Sequence, residues 1–292
     1  MRRALVCALV LVLCLWCYGI SPPSCLAAED GRALAQKVYD RDTGKSSYAK
    51  IEMVLISKQG NERTRTMVVA VKNYGKVHKR YIQFTEPASI AGTAFLAWEN
   101  EDRSDDQFLY LPELERVRRI VSTQKDHSFV NSDFTYEDLE KRKVDKDTHS
   151  ILHSESYEQY ECWVLESIPK ADSASQYGKL VSWIAKDTLI PVKVEYYDKQ
   201  NRLTKRLVVK HLEKIDTLWT ALEIEMYDLT KDRRTRMKTL EIRYNRLCTK
   251  NDTLSGLLVQ DAILHQKSSC IYAITSVFCP RLFSNIGSIP SS

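Results

Sequence analysis

Residues 202–244 read RLTKRLVVKHLEKIDTLWTALEIEMYDLTKDRRTRMKTLEIRY. The end of this stretch alternates without a break. Lys238, Leu240, Ile242 and Tyr244 fall on one face, and Thr239, Glu241 and Arg243 on the other. A period of two sends successive side chains to opposite sides of an extended chain, so the pattern predicts β-strands. Two polar turns, Lys214-Ile215-Asp216-Thr217 and Thr230-Lys231-Asp232, divide the stretch into strands at 202–212, 218–227 and 234–244. Connections this short join antiparallel neighbours, whereas a βαβ crossover needs a dozen residues or more.

The same period extends upstream. Ile51, Met53 and Leu55 alternate with Glu52 and Val54, and Ile82 and Phe84 oppose Gln83. Strands are predicted at 51–55, 64–71, 78–84, 95–98, 107–111 and 115–121, then at 150–154, 161–168, 180–185 and 192–197. Turns such as Lys58-Gln59-Gly60-Asn61 and Asp198-Lys199-Gln200-Asn201 separate them. The reading is one β-meander, and a single sheet of about ten strands must curl, split or close. Two short helices are expected beside it. One covers 29–41, capped by Asp30 and with Leu34 and Val38 on one side; the other covers 131–141, capped by Ser132 or Asp133. No repeat or linker divides 29–246, which reads as one domain.

Composition narrows the class. The 292 residues carry 43 Lys+Arg against 38 Asp+Glu, a formal charge of +5. That excess is too small for a dedicated nucleic-acid binder. With 43% apolar residues, 15 Tyr and 5 Trp, the chain can bury a core, so global disorder is excluded. The N-terminus has its own character. Arg2 and Arg3 precede an apolar run, Pro22 and Pro23 break it, and Ala27-Ala28 offers small residues for cleavage. This is the pattern of a secretory leader over 1–28, cut near Ala28. Its removal takes Cys7, Cys14, Cys17 and Cys25 with it, leaving Cys162, Cys248, Cys270 and Cys279 and a charge of +3. The C-terminus differs again: 249–292 holds five charged residues in 44 positions, against 74 in the 220 positions of 29–248. The segment 247–292 is therefore set apart as an atypical tail: a disordered end, a hydrophobic plug, or sequence foreign to the domain.

Catalytic constellations are hard to find. There is no nucleophile elbow, P-loop or dinucleotide fingerprint. His149 and His153 are four apart on a predicted strand, where that spacing means about 13 Å, so no metal site is assigned. Cys162 lies mid-strand beside Trp163 and reads as a small buried residue, not a nucleophile. The expectation is a protein with no enzymatic activity and no cofactor.

The most distinctive stretch is DDQFLYLPELERVRRI, from Asp105 to Ile120, followed by SFVNSDFTYEDL, from Ser128 to Leu139. It combines an aromatic hairpin, an Arg-rich strand and an acidic-aromatic segment. Arg116 and Arg118 share one strand face and Arg119 takes the other. Two readings stand. In the structural one, pairs such as Arg118 with Asp133 tie the segment containing Phe134 to the sheet. In the functional one, the arginines and aromatics hold the anionic head of an amphiphile.

This stretch closely resembles the outer-membrane lipoprotein-sorting proteins of the periplasm, the branch similar to LolA. Tyr160-Glu161-Cys162-Trp163-Val164-Leu165 and Lys193-Val194-Glu195-Tyr196-Tyr197-Asp198 extend the resemblance, which covers about 29–244. The resemblance implies a mainly β fold with short helices: an unclosed antiparallel β-barrel around an apolar cavity with a helical lid. It also implies a periplasmic carrier that binds a lipid or the acyl chains of lipoproteins. The alternative is an accessory interaction module of an inner-membrane exporter, without ligand carriage. A monomer is expected, with no nucleic-acid partner. Alternation names Ile51, Met53, Phe84, Trp98, Phe108, Tyr110, Leu222, Ile224 and Met226 as candidate cavity liners, without deciding which strand face points inward.

Overall fold

The computed structural model describes residues 30–75, 77–101 and 103–245. The expected leader and tail lie outside these residues. Every element described belongs to the compact unit that begins at Gly31. A helix, α1 (Gly31–Tyr39), precedes six strands: β1 (Ser46–Ile56), β2 (Glu62–Asn73), β3 (His78–Glu86), β4 (Ala94–Trp98), β5 (Asp106–Leu111) and β6 (Arg116–Ile120). Seven more follow: β7 (Asp147–Tyr157), β8 (Tyr160–Pro169), β9 (Lys179–Ala185), β10 (Pro191–Tyr197), β11 (Leu203–Ile215), β12 (Leu218–Asp228) and β13 (Arg233–Tyr244). Each predicted strand is present. No helix among the described residues is long and apolar enough to cross a membrane.

All thirteen strands join one antiparallel sheet in the order β6-β5-β4-β3-β2-β1-β13-β12-β11-β10-β9-β8-β7. Strand β1 pairs with β13, from Ser47 opposite Tyr244 to Ile56 opposite Arg234. Each strand therefore lies beside its neighbour in the chain except at one place: β6 and β7 are consecutive in sequence but occupy opposite edges. The meander is a ring left open at a single seam. Side chains from β1 to β6 and from β9 to β13 meet in or against one buried cluster, so the sheet curls around its own inner face.

The segment 121–146 straps the two edges together across that face. It is not the helix expected over 131–141. It consists of short 3-10 turns at Ser122–Gln124, Phe129–Asn131 and Val144–Lys146, with an antiparallel bridge between Ser128 and Thr135. The reason lies in its side chains. Ser132 does not cap a helix, because its hydroxyl donates back to the Phe129 carbonyl at 2.7 Å and closes a turn. Phe134 and Tyr136 are then both buried, within a run from Ser132 to Tyr136 that is buried throughout. Val130 and Asn131 take the left-handed conformation, with φ of 47° and 59°. For a β-branched residue this is strained, and the Arg65 guanidinium helps hold it by donating to the Val130 carbonyl.

Phe129, wholly buried, is the centre of the core. Its ring lies 5.8 Å from Phe84, 5.4 Å from Phe95 and 5.8 Å from Tyr136, the last two edge-on. These are favourable aromatic geometries, worth about 1 kcal/mol each beyond simple burial. The outer face is protected differently. Lys79 lies over the Trp98 ring at 3.2 Å, and Lys193 over Trp183 at 3.6 Å. Each ammonium lies against a ring face, a cation–π contact, and burial lowers the Lys79 pKa. Cys162 belongs to a buried cluster with Val164, Val181 and Trp183, and burial pushes its thiol pKa up.

Candidate functional site

The strap is fixed to the sheet by a series of charged and polar contacts. Asp133 accepts from the Arg233 guanidinium and from the Thr235 hydroxyl at 2.7 Å. Asp138 accepts from the Tyr177 hydroxyl at 2.7 Å and pairs with Lys205 at 3.1 Å. Glu137 pairs with Arg142 at 3.1 Å, and Arg142 also forks onto Asp147 at the start of β7. From β5, the Gln107 amide donates to the Tyr136 carbonyl at 3.1 Å and to Glu140 at 2.9 Å. Burial beside Asp138 raises the Tyr177 phenol well above its ordinary pKa, so it stays a donor. The acidic-aromatic motif is thus a structural fastener whose carboxylates each find a partner on the sheet or the strap.

Between the end of the strap, α1 and the inner face lies a cavity of about 470 Å³. That lies within the range of about 300–1,000 Å³ typical of pockets for one small molecule. Its apolar wall includes Val38, Val71, Ala97, Leu139, Leu165 and Ile184. Helix α1 can close this space because it approaches β7 at a glycine. A Cβ at Gly31 would sit 2.7 Å from the backbone carbonyl of His149.

The cavity also has a charged quarter. Arg41, Arg80 and Lys141 face it, together with His78 and Glu99. Three wall carboxylates are engaged elsewhere: Asp105 with Lys143 at 3.2 Å, Glu140 with Lys125, and Asp147 with Arg142. Glu99 bonds to His78 Nδ1 at 2.8 Å. The three cations form no ion pair among the described residues. Arg80 donates to the Leu139 carbonyl, Arg41 Nη1 donates to the Trp219 carbonyl at 3.3 Å, and Lys141 stacks over Tyr39 at 3.8 Å. Arg41 Nε is buried without a hydrogen-bond partner. Burial lowers the pKa of all three, and for Lys141 the nearby Arg41 and Arg80 lower it further while Glu99 and Asp40 oppose. Burial first, then Glu99 and Asp105, raises the Tyr39 phenol.

The candidate liners divide between the two faces. Ile51, Met53, Phe84, Ile224 and Met226 belong to the buried cluster of the inner face, and Leu222 shares the alternation of Ile224 and Met226. Trp98, Phe108 and Tyr110 point the other way. Trp98 lies under Lys79, Phe108 sits opposite Arg119, and Tyr110 packs with Val68, Ala70 and Tyr81. None of the nine borders the 470 Å³ cavity. The expected pair between Arg118 and Asp133 is not formed. The strap carries Asp133 across the inner face to β13, where Arg233 meets it, and leaves Arg116 and Arg118 exposed on the edge strand β6. Arg119 pairs with Asp106 at 2.6 Å, and Phe134 lies in the core. His149 is satisfied by Ser167 and the Val144 carbonyl, each at 2.9 Å. No cluster of three His, Cys, Asp or Glu among the described residues could hold a metal ion.

Sequence reasoning missed Arg41, Arg80 and Lys141. One signal was available: His78 and Arg80 fall in the same alternation as Ile82 and Phe84, which puts two ionisable residues on the core-facing side of β3.

Comparison with known proteins follows the same lines. A family model described as an uncharacterized protein matches residues 76–252. No curated protein matches the chain. The crystal structure of a DUF1329 family protein from Desulfovibrio piger is 32% identical, with a TM-score of 0.71, over 75% of this chain and 93% of that one. The crystal structure of an outer membrane lipoprotein-sorting protein domain from Vibrio parahaemolyticus is 34% identical, also with a TM-score of 0.71, over 79% of this chain and 98% of that one. A LolA superfamily protein from Nitrosomonas europaea shares the fold at 18% identity and a TM-score of 0.60, over 75% and 95% of the two chains.

Proposed function

Because this chain belongs to the DUF1329 family of LolA-like, outer-membrane lipoprotein-sorting proteins, we propose that it is a periplasmic carrier of a lipid or of lipoprotein acyl chains. The observation that carries this reading is the cavity of about 470 Å³ between α1, the strap and the inner face. An acyl chain entering a preformed apolar space gains about 25 cal/mol per Å² buried. A few hundred Å² therefore supports reversible binding once the cost of association is subtracted, and reversibility is what a carrier requires. The secretory pattern of residues 1–28 supports export, and the inner-face candidates Ile51, Met53, Phe84, Ile224 and Met226 are then the core that backs the pocket.

The test is native mass spectrometry of the protein purified from membranes, before and after lipid extraction, paired with uptake of a fluorescent fatty acid. A bound lipid lost on extraction, and saturable uptake afterwards, is the expected result. Absence of both would overturn the carrier reading.

A second reading, an interaction module serving an inner-membrane exporter, draws on the two sheet edges. Strands β6 and β7 each pair on one side only, and most of their residues are exposed. Such edges can accept a strand from a partner. Replacing Val117 on β6 and Leu152 on β7 with proline would abolish that mode while leaving lipid uptake intact.

A further inference from the structure

The charged quarter of the cavity goes beyond what a carrier of plain hydrocarbon needs. Arg41, Arg80 and Lys141 come from the chain after α1, from β3 and from the strap, yet they converge on one side of a mostly apolar space. Burying three cations together is expensive, since each loses hydration and repels the others. A structural role would supply each with a carboxylate, as the chain does for Arg142, Lys143 and Lys125. Here carboxylates act only from a distance, Asp42 on Arg41, Glu99 on Arg80, and Glu99 with Asp40 on Lys141; none forms an ion pair with the three among the described residues, and Glu99 is already bonded to His78. Arg41 Nε, buried without a partner, is a donor with nothing to donate to. The apolar wall of Val38, Leu139, Leu165 and Ile184 continues from this charged corner.

We infer that the cavity takes a single-chain amphiphile with an anionic head group, a carboxylate or a phosphate monoester, its head held by Arg41, Arg80 and Lys141 and its chain laid along the apolar wall. The inference rests on the carrier reading and specifies its ligand class. The head would supply the negative charge that the three cations lack, and the cavity volume suits one chain.

The experiment measures binding by isothermal titration to the full exported chain, stripped of lipid. The probes are hexadecanoate, hexadecyl phosphate, hexadecanol and inorganic phosphate. Charge-assisted hydrogen bonds contribute about 1.5–3 kcal/mol, so the two anionic chains should bind about ten- to a hundredfold more tightly than the alcohol. Lys141→Gln should remove most of that preference, lowering the affinity for hexadecanoate far more than that for hexadecanol. Arg41→Gln, checked by thermal unfolding, provides a second variant should the first fold poorly. Equal affinity for hexadecanoate and hexadecanol would overturn the head-group assignment while leaving the carrier reading in place. Inorganic phosphate binding as tightly as hexadecyl phosphate would replace the amphiphile with a soluble anion. Binding of none of the four would overturn both readings.

Discussion

Asp133 and Arg233 are one hundred positions apart in sequence and form an ion pair where the strap crosses β13, with Thr235 donating to the same carboxylate at 2.7 Å. The Asp133 side chain is 3% exposed and that of Arg233 33% exposed. Breaking a fully buried pair costs about 3–5 kcal/mol, because one charge is left without compensation. Arg233 can still reach water, so Asp133→Ala is expected to cost about 2–3 kcal/mol in urea denaturation. A double-mutant cycle with Arg233→Gln should show coupling above about 1 kcal/mol. Arg118→Ala should stay within about 0.5 kcal/mol, as an exposed site outside the fastening network. If Arg118→Ala proved the costlier change, the observed pairing would be wrong.

Phe129 anchors the strap through three aromatic neighbours at full burial. Phe129→Ala should cost about 3–5 kcal/mol. Because the strap closes the cavity, the same variant should lose fatty-acid uptake before it unfolds. Uptake and circular dichroism followed along one urea series would separate the two transitions; coincident curves would show that the strap has no local stability of its own.

Gly31 permits the close contact between α1 and β7. In Gly31→Ala the added methyl would meet backbone, which cannot swing aside, so about 1–3 kcal/mol of destabilisation is expected. Hydrogen exchange should accelerate in α1 and leave β1 to β3 unaffected. Uniform acceleration across the sheet would contradict a local clash.

Ala97→Phe fills the cavity from the floor of β4. The added ring enters a void, not a packed core, so stability should change by less than about 1.5 kcal/mol. Uptake of the fluorescent fatty acid should be lost. Retained uptake would mean that the ligand lies elsewhere, and would direct attention to the inner-face liners around Met53 and Met226.

Asp106 accepts from Arg103, Asn100 and Arg119, and the Arg103 hydrogen bond does most to bring its carboxyl down from 3.8 to about 2, against partial burial. A folded-state pKa below the unfolded one stabilises the protein above the higher value, and that stabilisation is lost as pH falls through the lower. The contribution of Asp106 should therefore be complete above about pH 4 and disappear between 3.8 and about 2. Thermal melts of the parent and Asp106→Asn should differ at pH 5 and converge near pH 2. A constant difference across that range would show that the side chain acts through shape, not charge.

Strand alternation made the sheet readable. The 234–244 pattern located β13, alternation also marked β1 and β3, and β-branched or aromatic runs between polar turns supplied the rest. The strap was misread because a run of Asp, Thr and Glu beside a Ser looks like a capped helix when viewed locally. What keeps it from forming a helix is distant: Phe134 and Tyr136 are drawn into an aromatic core from β3 and β4, and Asp133 to an arginine one hundred residues on. The charged corner was harder still. Arg41, Arg80 and Lys141 carry no shared spacing, and only the ring topology brings α1, β3 and the strap together. The face of Trp98, Phe108 and Tyr110 could not be assigned from alternation, because both faces of β4 and β5 carry large apolar groups.

The pairing of β1 with β13 has a kinetic consequence. Strands β1 to β6 form one ladder of hairpins and β7 to β13 another, and each can zip up through contacts between chain neighbours. Joining Ser47 to Tyr244 closes a loop spanning nearly the whole domain, and the entropy of that closure must be met before any contact compensates it. The slow event of folding is thus the meeting of two ladders, and the strap locks after they meet. Substitutions along the β1/β13 pairing will slow folding, whereas loosened strap contacts will chiefly hasten unfolding.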